Sequence, residues 1–375
     1  MNEKTLYNQI VTWRRDLHQM PELEMDLPKT AAYVKKQLEN TAFELIELPE
    51  ECGSGFAAFL DRGKDQTIAF RTDMDALPVT EKTGLPFASK TPGCMHACGH
   101  DGHMANMLAA AYRISEEKNS LNANVLLLFQ AGEETPGGAK PIVQSGLLEE
   151  KNVKALFGMH LWPMLPEGVV GVRPVEMMAR CAEIRMTFHG QSAHAAKYWL
   201  GHDAMIAACD FIKDCYAFEQ VMDPSIYRLL RFGIFKSGRA GNAVADQSYV
   251  QGTMRAFDDE IFESMAAKVE ECAKKACEET GCTYDLIFDN GYPAVLNDPK
   301  LTEWFTSLDE SIVLLKTPEM ISEDFAFYQK AVPAVFFFLG TGSGIPLHAN
   351  NFDFNEKVLL KSSSLLCKAA QAWNR

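Results

Sequence analysis

Short apolar runs alternate with amphipathic stretches along the first half of the chain. Apolar residues recur every three or four positions at Leu6, Ile10, Trp13 and Leu17, which predicts a helix over residues 4–19. Helical patterns also cover residues 29–40, 102–116 and 139–148. Apolar runs of strand length lie at residues 55–60, 67–72, 124–130 and 154–160. This alternation is typical of an α/β domain with a largely parallel, buried sheet.

From about Ala179 the order of the patterns changes. Strand, helix, strand, strand, helix and strand patterns follow in turn at residues 183–188, 203–215, 227–235, 247–257, 260–279 and 283–289. This is the order of a small α+β ferredoxin-like sandwich. The sandwich is an insertion, because the α/β rhythm returns with a buried strand over residues 333–339. We therefore expect two domains, which the length of 375 residues also favours. They are a discontinuous α/β domain of residues 1–178 and 291–375, and an inserted domain of residues 179–290.

The charge and the apolar runs narrow the choice of partners and location. The formal net charge is -14 and the acidic residues are spread along the chain. This argues against nucleic acid as a partner, because phosphate binding needs concentrated Lys and Arg. No apolar run approaches the ~20 residues of a membrane helix, so we expect no membrane association. The polar N-terminus lacks the apolar core of a signal peptide, which favours a cytoplasmic protein whose ten cysteines are mostly buried, reduced thiols.

Polar side chains follow three of the predicted strands at the point where each strand ends. Asp73 and Asp75 follow the first of these strands, Glu133 and Glu134 follow the second, and His160 ends the third. Ligands bind outside the carboxyl ends of the strands in open α/β sheets. The sequence therefore predicts a site at this edge of the sheet, independently of any family.

The segment Met95–His103 offers a thiol and an imidazole two residues apart. Cys98 and His100 lie on a predicted loop, Gly99 lets the backbone turn tightly between them, and a helix follows at once. A thiolate and an imidazole are good ligands for borderline divalent metals. The alternative is a polar loop with a chance histidine and a buried thiol.

The other polar residues of this segment have less specific roles. A packing or supporting role is favoured over direct ligation for His103. Asp101 is placed to cap the helix or to orient a ligand imidazole, and His96 is ambiguous.

Glu133 and Glu134 are adjacent on an extended segment, so their side chains point to opposite sides. One carboxylate is therefore able to bind a metal while its neighbour faces a substrate. Two solvated glutamates at a strand end are the alternative.

Together these residues resemble the zinc-dependent metallopeptidase and aminoacylase family. The resemblance is closest to its amidohydrolase branch, which includes hippurate hydrolase, auxin-conjugate hydrolases and N-acetyldiaminopimelate deacetylase. It covers nearly the whole chain. The matching segments are Arg14–His18 with Pro21 and Glu22, Arg71–Pro78, Met95–His103, Gly132–Glu134, Gly158–His160, His194–Ala196, Ser322–Phe325 and Leu347–His348.

The resemblance implies a metal-binding catalytic domain that cleaves N-acyl amino acids carrying acetyl or aroyl groups. It implies two divalent metal ions per subunit. Thiolate and imidazole ligands suit zinc, carboxylate ligands also suit manganese, and cobalt or nickel are possible substitutes. The implied metal ligands are Cys98, His100, Glu134, His160 and His348. Glu133 would be the general base that deprotonates the attacking water and then protonates the leaving amine.

The resemblance also gives the inserted domain a role as a lid and dimerisation domain of a homodimer. His194 would enter the partner's active site and stabilise the oxyanion. Without the resemblance, the default interpretation of His194 is a loop histidine at a strand end. Asn242 and Arg255 would bind the substrate carboxylate, for which the planar guanidinium of Arg255 is suited. A structural ion pair is the alternative for Arg255.

One segment departs from the pattern of the branch. Relatives often have His-Ala-Ala-x-Pro-His, whereas this chain continues from His194 to Lys197, Tyr198 and Trp199. The change predicts an altered substrate shape or a repacked lid. Two further functions stay open: a dipeptidase or aminopeptidase on the same scaffold, and a catalytically silent relative that binds metal.

Overall fold

The computed structural model describes residues 2–374 and contains two compact units. The first unit comprises the residues up to Met177, Leu296–Thr317 and the residues from Asp324 onward, and the second comprises Met178–Val295 and Pro318–Glu323. The helices are α1 Glu3–His18, α2 Pro28–Leu38, α3 His100–Glu116, α4 Ala139–Gln144, α5 Leu147–Glu150, α6 Ala204–Val221, α7 Asp259–Thr280, α8 Pro299–Thr306, α9 Ala326–Gln329 and α10 Val358–Ala372. The strands are β1 Glu44–Glu47, β2 Phe56–Leu60, β3 Thr67–Asp73, β4 Asn124–Gln130, β5 Val153–Trp162, β6 Val170–Val172, β7 Val175–Met178, β8 Arg180–His189, β9 Arg228–Ser237, β10 Gln247–Ala256, β11 Thr283–Asn290, β12 Val295–Asn297, β13 Ile312–Leu314 and β14 Ala334–Gly340.

The first unit is built around an eight-stranded sheet in the order β1-β2-β4-β3-β5-β14-β6-β13. Its four central strands, β4, β3, β5 and β14, are parallel, whereas β1, β2 and β6 pair antiparallel with their inner neighbours. Every residue of β3, β4 and β14 is buried, as expected for parallel strands that are covered on both faces. The prediction of a largely parallel α/β sheet is therefore confirmed.

The helix predicted over residues 139–148 is wrong in one respect, because the structure has two short helices there. α4 ends at Gln144 and α5 begins at Leu147. Gly146 separates them with a left-handed φ of 79°, a backbone conformation that interrupts an α-helix and that glycine adopts at little cost.

The second unit is a four-stranded antiparallel sheet in the order β11-β8-β10-β9. α6 and α7 pack against each other and against this sheet, and their apolar residues share one core with β8 and β10. The chain order β8-α6-β9-β10-α7-β11 matches the predicted β-α-β-β-α-β sandwich. β9 and β11 form its edges.

Among residues 2–374, no helix has both the length and the low polarity that crossing a membrane would require.

Candidate metal centre

Three neighbouring strands of the first unit end at the same edge of the sheet. β3 ends at Asp73, β4 ends at Gln130 directly before the loop of residues 131–138, and His160 lies near the end of β5. β3 pairs in parallel with both β4 and β5, so these three ends are adjacent. This is the edge at which ligands bind in open α/β sheets.

Cys98, His100 and His160 form a buried cluster at this edge. The Cys98 Sγ lies 3.3 Å from the His160 Nε2, and ligand atoms of all three residues lie within 4.8 Å of one another. Gly99 has a φ of 88°, in the left-handed region, where a side chain would also lie 2.9 Å from Leu161. Glycine at this position therefore lets the chain pass from Cys98 directly into the first turn of α3.

The hydrogen bonds of the two histidines leave one nitrogen of each directed into the cluster. The His100 Nδ1 donates to the backbone oxygen of Asp75 at 2.8 Å, and the His160 Nδ1 donates to that of Leu161 at 2.7 Å. A carbonyl oxygen only accepts, so the protons are on Nδ1 and the lone pairs are on Nε2. The His100 Nε2 is buried without a hydrogen-bond partner among the described residues. This is the tautomer that binds a metal through Nε2, so the donor set fits a divalent ion.

Cys98, Glu134 and His348 form a second cluster that shares the Cys98 thiol with the first. The His348 Nε2 lies 3.1 Å from the Glu134 Oε1. His348 has a φ of 66°, which is uncommon for a residue other than glycine, and its backbone N–H donates to Ala97 at 2.9 Å. Strained backbone of this kind is often found at functional sites. The two candidate ligand clusters therefore have the Cys98 thiol in common.

The Glu133 carboxylate lies beside both clusters. It is buried, and its Oε2 is 3.9 Å from the His100 Nε2. Its backbone N–H and that of Glu134 donate to the two carboxylate oxygens of Asp75 at 2.9 and 3.0 Å. The side chain of Asp75 thus orients the loop of residues 131–138, the glutamate loop, while its carbonyl orients His100.

The sequence places Asp75 at this edge of the sheet, two residues beyond the end of β3, but gives it no role. A role that depends on backbone N–H groups 58 and 59 residues further along the chain cannot be read from the residue types.

His103 and Asp73 support the first cluster. The His103 Nδ1 donates to the Asp73 Oδ1 at 2.7 Å, and the backbone N–H of Leu161 donates to the His103 Nε2 at 3.0 Å. Both ring nitrogens of His103 are therefore used. Although burial opposes it, the neighbouring side chains of His100, His103 and Arg71 hold the pKa of Asp73 well below its usual value.

The electrostatics of the cluster favour a bound cation. Burial, and then the neighbouring carboxylates of Glu134 and Glu133, raise the pKa of the Cys98 thiol well above its usual value. Burial, and then the neighbouring His103, lower the pKa of His160 well below its usual value, so its ring is neutral, as a metal ligand requires. A divalent ion would offset the negative charge and stabilise the thiolate.

In the second unit, His194 and Asn242 lie close together. The backbone N–H of Ala195 donates to the backbone oxygen of Asn242 at 2.9 Å, and His194 forms a β-bridge with Ala243. The His194 Nδ1 accepts from the Ala196 N–H at 3.1 Å, which places the ring proton on the exposed Nε2. The structure therefore presents an exposed imidazole N–H donor on a segment that pairs with the backbone of Asn242 and Ala243.

Arg255 lies at the other end of the same sheet. The loop that contains Asn242 leads into β10 at Gln247, and Arg255 is the second-last residue of that strand. At about 3.3 Å per residue, roughly 26 Å separates Gln247 from Arg255. The guanidinium of Arg255 donates to the backbone oxygen of Met320. Arg255 and Asn242 therefore do not meet within one second unit.

The segment Lys197–Trp199, which differs from the pattern of the amidohydrolase branch, lies on a short 3-10 helix, Ala195–Leu200, that follows His194. Lys197 has non-helical angles and kinks this helix. The rings of Tyr198 and Trp199 pack edge to face, with centroids 5.5 Å apart, and both residues are about two-thirds exposed, at 68% and 65%.

Comparisons with known proteins agree on one family. A family model described as peptidase family M20/M25/M40 matches residues 69–372. The N-acetyl-L-cysteine deacetylase of Bacillus subtilis is 32% identical, over 99% of this chain and 89% of the relative. A hydrolase of Staphylococcus haemolyticus, SH1513, is 33% identical over 92% of this chain and 93% of its own. Among solved structures, the YXEP protein of Bacillus subtilis, described as a dinuclear metal-binding peptidase of the M20 family, superposes with a TM-score of 0.86 at 28% identity, covering 98% of both chains.

Proposed function

The chain belongs to peptidase family M20/M25/M40 and is a hydrolase acting on amide bonds, and we propose that it cleaves N-acyl amino acids with two bound divalent metal ions. The resemblance inferred from the motifs is confirmed by the family match and by the relatives. The observation that most supports the proposal is the pair of ligand clusters that share Cys98, with the carboxylate of Glu133 beside them.

Five residues would hold the metal ions: Cys98, His100, Glu134, His160 and His348. Bound divalent ions would polarise the scissile carbonyl and lower the pKa of a water molecule. Zinc suits the thiolate and the imidazoles best, and manganese, cobalt or nickel also suit a set that contains a carboxylate.

Glu133 would act as the general base. Its carboxylate takes a proton from the attacking water, and the same proton is then delivered to the leaving amine as the amide bond breaks. The Asp75 carboxylate accepts hydrogen bonds from the backbone N–H groups of Glu133 and Glu134. Glu133 therefore reaches the site from a fixed loop. The products are a carboxylic acid and a free amino acid.

The proposed substrate is an N-acyl amino acid. Support comes from the relative named N-acetyl-L-cysteine deacetylase, which is 32% identical over 99% of this chain. Asn242 and Arg255 would bind the amino acid carboxylate, for which a planar guanidinium is well suited. The exposed imidazole N–H of His194 would donate to the oxyanion that develops on the carbonyl oxygen.

A homodimer would bring these groups to one substrate. His194 and Asn242 lie at one end of the second unit and Arg255 at the other, roughly 26 Å away along β10, which is further than a small molecule spans. Two copies of the chain would therefore supply them. The exposed apolar residues Ile234 and Phe235 on the edge strand β9, with Met205 and Ile206 on α6, support a protein interface on this unit.

Metal removal and a substrate comparison test the proposal. Dialysis against a chelator is expected to abolish hydrolysis of N-acetyl amino acids, and added zinc or manganese is expected to restore it, because the ligands remain folded around the site. A set of N-acetyl and N-benzoyl amino acids is compared with dipeptides that have a free amine. Hydrolysis of the dipeptides alone would instead identify a peptidase, and no turnover on either set in the metal-loaded protein would identify a silent relative.

A further inference from the structure

Asp324 is a fully buried carboxylate that contacts both ends of the glutamate loop, residues 131–138. Its Oδ2 accepts from the Gln130 Nε2 at 2.7 Å, directly before the loop, and from the backbone N–H of Ala139 at 2.9 Å, directly after it. Its Oδ1 accepts from the Arg71 Nη2 at 2.9 Å. One side chain therefore fixes the start and the end of the segment that contains Glu133 and Glu134.

We call Asp324, with its bonds to Gln130 and Ala139, the clamp. Arg71 lies on β3 and connects this clamp to Asp73 at the end of that strand. Its Nε donates to the Gln130 Oε1 at 2.9 Å and its Nη1 to the Asp73 Oδ2 at 2.7 Å. Tyr328 donates to the same Gln130 oxygen at 2.9 Å. Because these groups are buried, the hydrogen bonds are strong and a lost partner is costly.

The clamp also lies close to the proposed base. An oxygen of Asp324 and an oxygen of Glu133 lie within 4.8 Å of each other. The tip of the loop is held separately by Asp75. The glutamate loop is thus fixed at its tip by one carboxylate and at both ends by another, which comes from a segment 185 residues beyond Ala139.

We propose that Asp324 is a positioning residue that sets the place of Glu133 and Glu134 by holding both ends of their loop. This rests on the proposed roles of Glu133 as base and Glu134 as metal ligand. An oxygen acceptor is needed at this position, because both loop groups that face Oδ2 are N–H donors. A side chain without an acceptor frees both ends at once.

The test compares Asp324→Ala with Asp324→Asn in the full-length protein loaded with zinc. We expect kcat of Asp324→Ala on an N-acetyl amino acid to fall about 100-fold, while KM stays within about threefold, because a shift near 1 Å misplaces a catalytic group. Zinc retention against a competing chelator is expected to fall as well, because Glu134 moves with Glu133. Asp324→Asn keeps an oxygen for Gln130 and Ala139, so it should recover about tenfold of the lost kcat.

Asn297→Ala is the matched control. Asn297 is also fully buried and makes comparable bonds to Arg173, Phe336 and Gln329, but it does not contact the loop. We expect a comparable drop in thermal stability with kcat and zinc retention close to the wild type. Equal losses of kcat in Asn297→Ala and Asp324→Ala would show a general stability effect and overturn the proposal.

Two further outcomes separate this inference from the proposed function. If the wild type cleaves no N-acyl amino acid, the substrate proposal fails, and zinc retention alone decides whether Asp324 positions Glu134. If Asp324→Ala does not fold, Gln130→Met replaces it. This substitution removes one of the two bonds from Asp324 to the ends of the loop, together with the Gln130 bonds to Arg71 and Tyr328, and it leaves the Asp324–Arg71 pair. Wild-type kcat and zinc retention in Gln130→Met would then refute the clamp.

Discussion

Glu133 and Glu134 are adjacent in the chain but contact different groups. Glu134 lies 3.1 Å from His348 and shares a ligand cluster with Cys98, whereas Glu133 lies 3.9 Å from the His100 Nε2. The two side chains therefore have separate proposed roles, and substitutions at the two positions should have different effects.

Glu133→Gln is expected to keep its metal ions and lose turnover. Glutamine has the same shape but cannot accept a proton from water, so kcat should fall about 10²–10⁴-fold. The bond from its backbone N–H to Asp75 is unaffected. Metal content by elemental analysis and kcat at saturating substrate are the two measurements. Glu134→Gln is the control and should lose metal, and near-normal kcat in Glu133→Gln would remove Glu133 from its role.

At the scale of residues, the sequence predicted the candidate metal ligands and the candidate base, but not the residues that orient them. A thiol and an imidazole around a glycine, and paired glutamates after a strand, indicate metal chemistry because of their residue types alone. The roles of Asp75 and Asp324 depend on hydrogen bonds to backbone N–H groups that are distant in the chain. Such contacts become apparent only when the strands are paired.

At the level of elements, a buried ionic network joins α1 to the first turn of α3. The Arg14 Nε and the His18 Nδ1 both donate to the Asp101 Oδ2, at 2.9 and 2.7 Å. The His18 Nε2 lies 3.3 Å from the Glu81 carboxylate. Asp101 follows the proposed ligand His100, so this network holds the start of α3 against the N-terminal helix.

His18→Gln is expected to make the stability of the protein less dependent on pH. Burial opposes the charge of His18, but Asp101 and Glu81 outweigh it and raise the His18 pKa above its usual 6.5. A raised pKa means that the stabilisation is full below about pH 6.5 and is lost as the pH rises through the folded-state value. At pH 6 the substitution should cost about 1–3 kcal/mol, because Asp101 loses a charged partner.

The measurement is denaturant unfolding of both proteins at pH 6 and pH 9. The difference in unfolding free energy between wild type and His18→Gln should be larger at pH 6. A difference that is the same at both values, or larger at pH 9, would contradict the assignment of a proton to His18.

The sequence predicted the long elements well because each has a strong local period. Strand β4 and helices α1 and α7 lie within one or two residues of their predicted positions. The break at Gly146 and the short strands β6 and β13 did not follow from periodicity, since three residues are too few to show it. The strand order was not predicted either, because pairing such as that of β14 between β5 and β6 is set by contacts distant in sequence.

For the whole molecule, the separation of His194 from Arg255 is the main constraint. His194 and Asn242 lie at one end of the sheet of the second unit and Arg255 lies at the other, so one copy cannot bring all three to the same small substrate. The homodimer and the origin of the oxyanion donor in the partner are therefore one proposal. It is tested by asking which subunit supplies each group.

Hybrid dimers distinguish a His194 that acts in the partner's active site from a His194 that acts in the site of its own subunit. We expect His194→Ala and Glu133→Gln homodimers each to lose most of their rate, about 10²–10³-fold or more. A hybrid with one subunit of each kind, purified through two different tags, should regain about half of the wild-type rate, because one of its two sites has both groups intact. The reciprocal hybrid pairs a wild-type subunit with one that has both substitutions. This reciprocal hybrid should be inactive if His194 acts in the partner's site, because each of its sites then lacks one group. Half of the wild-type activity in the reciprocal hybrid, with none in the first hybrid, would instead place His194 in the site of its own subunit.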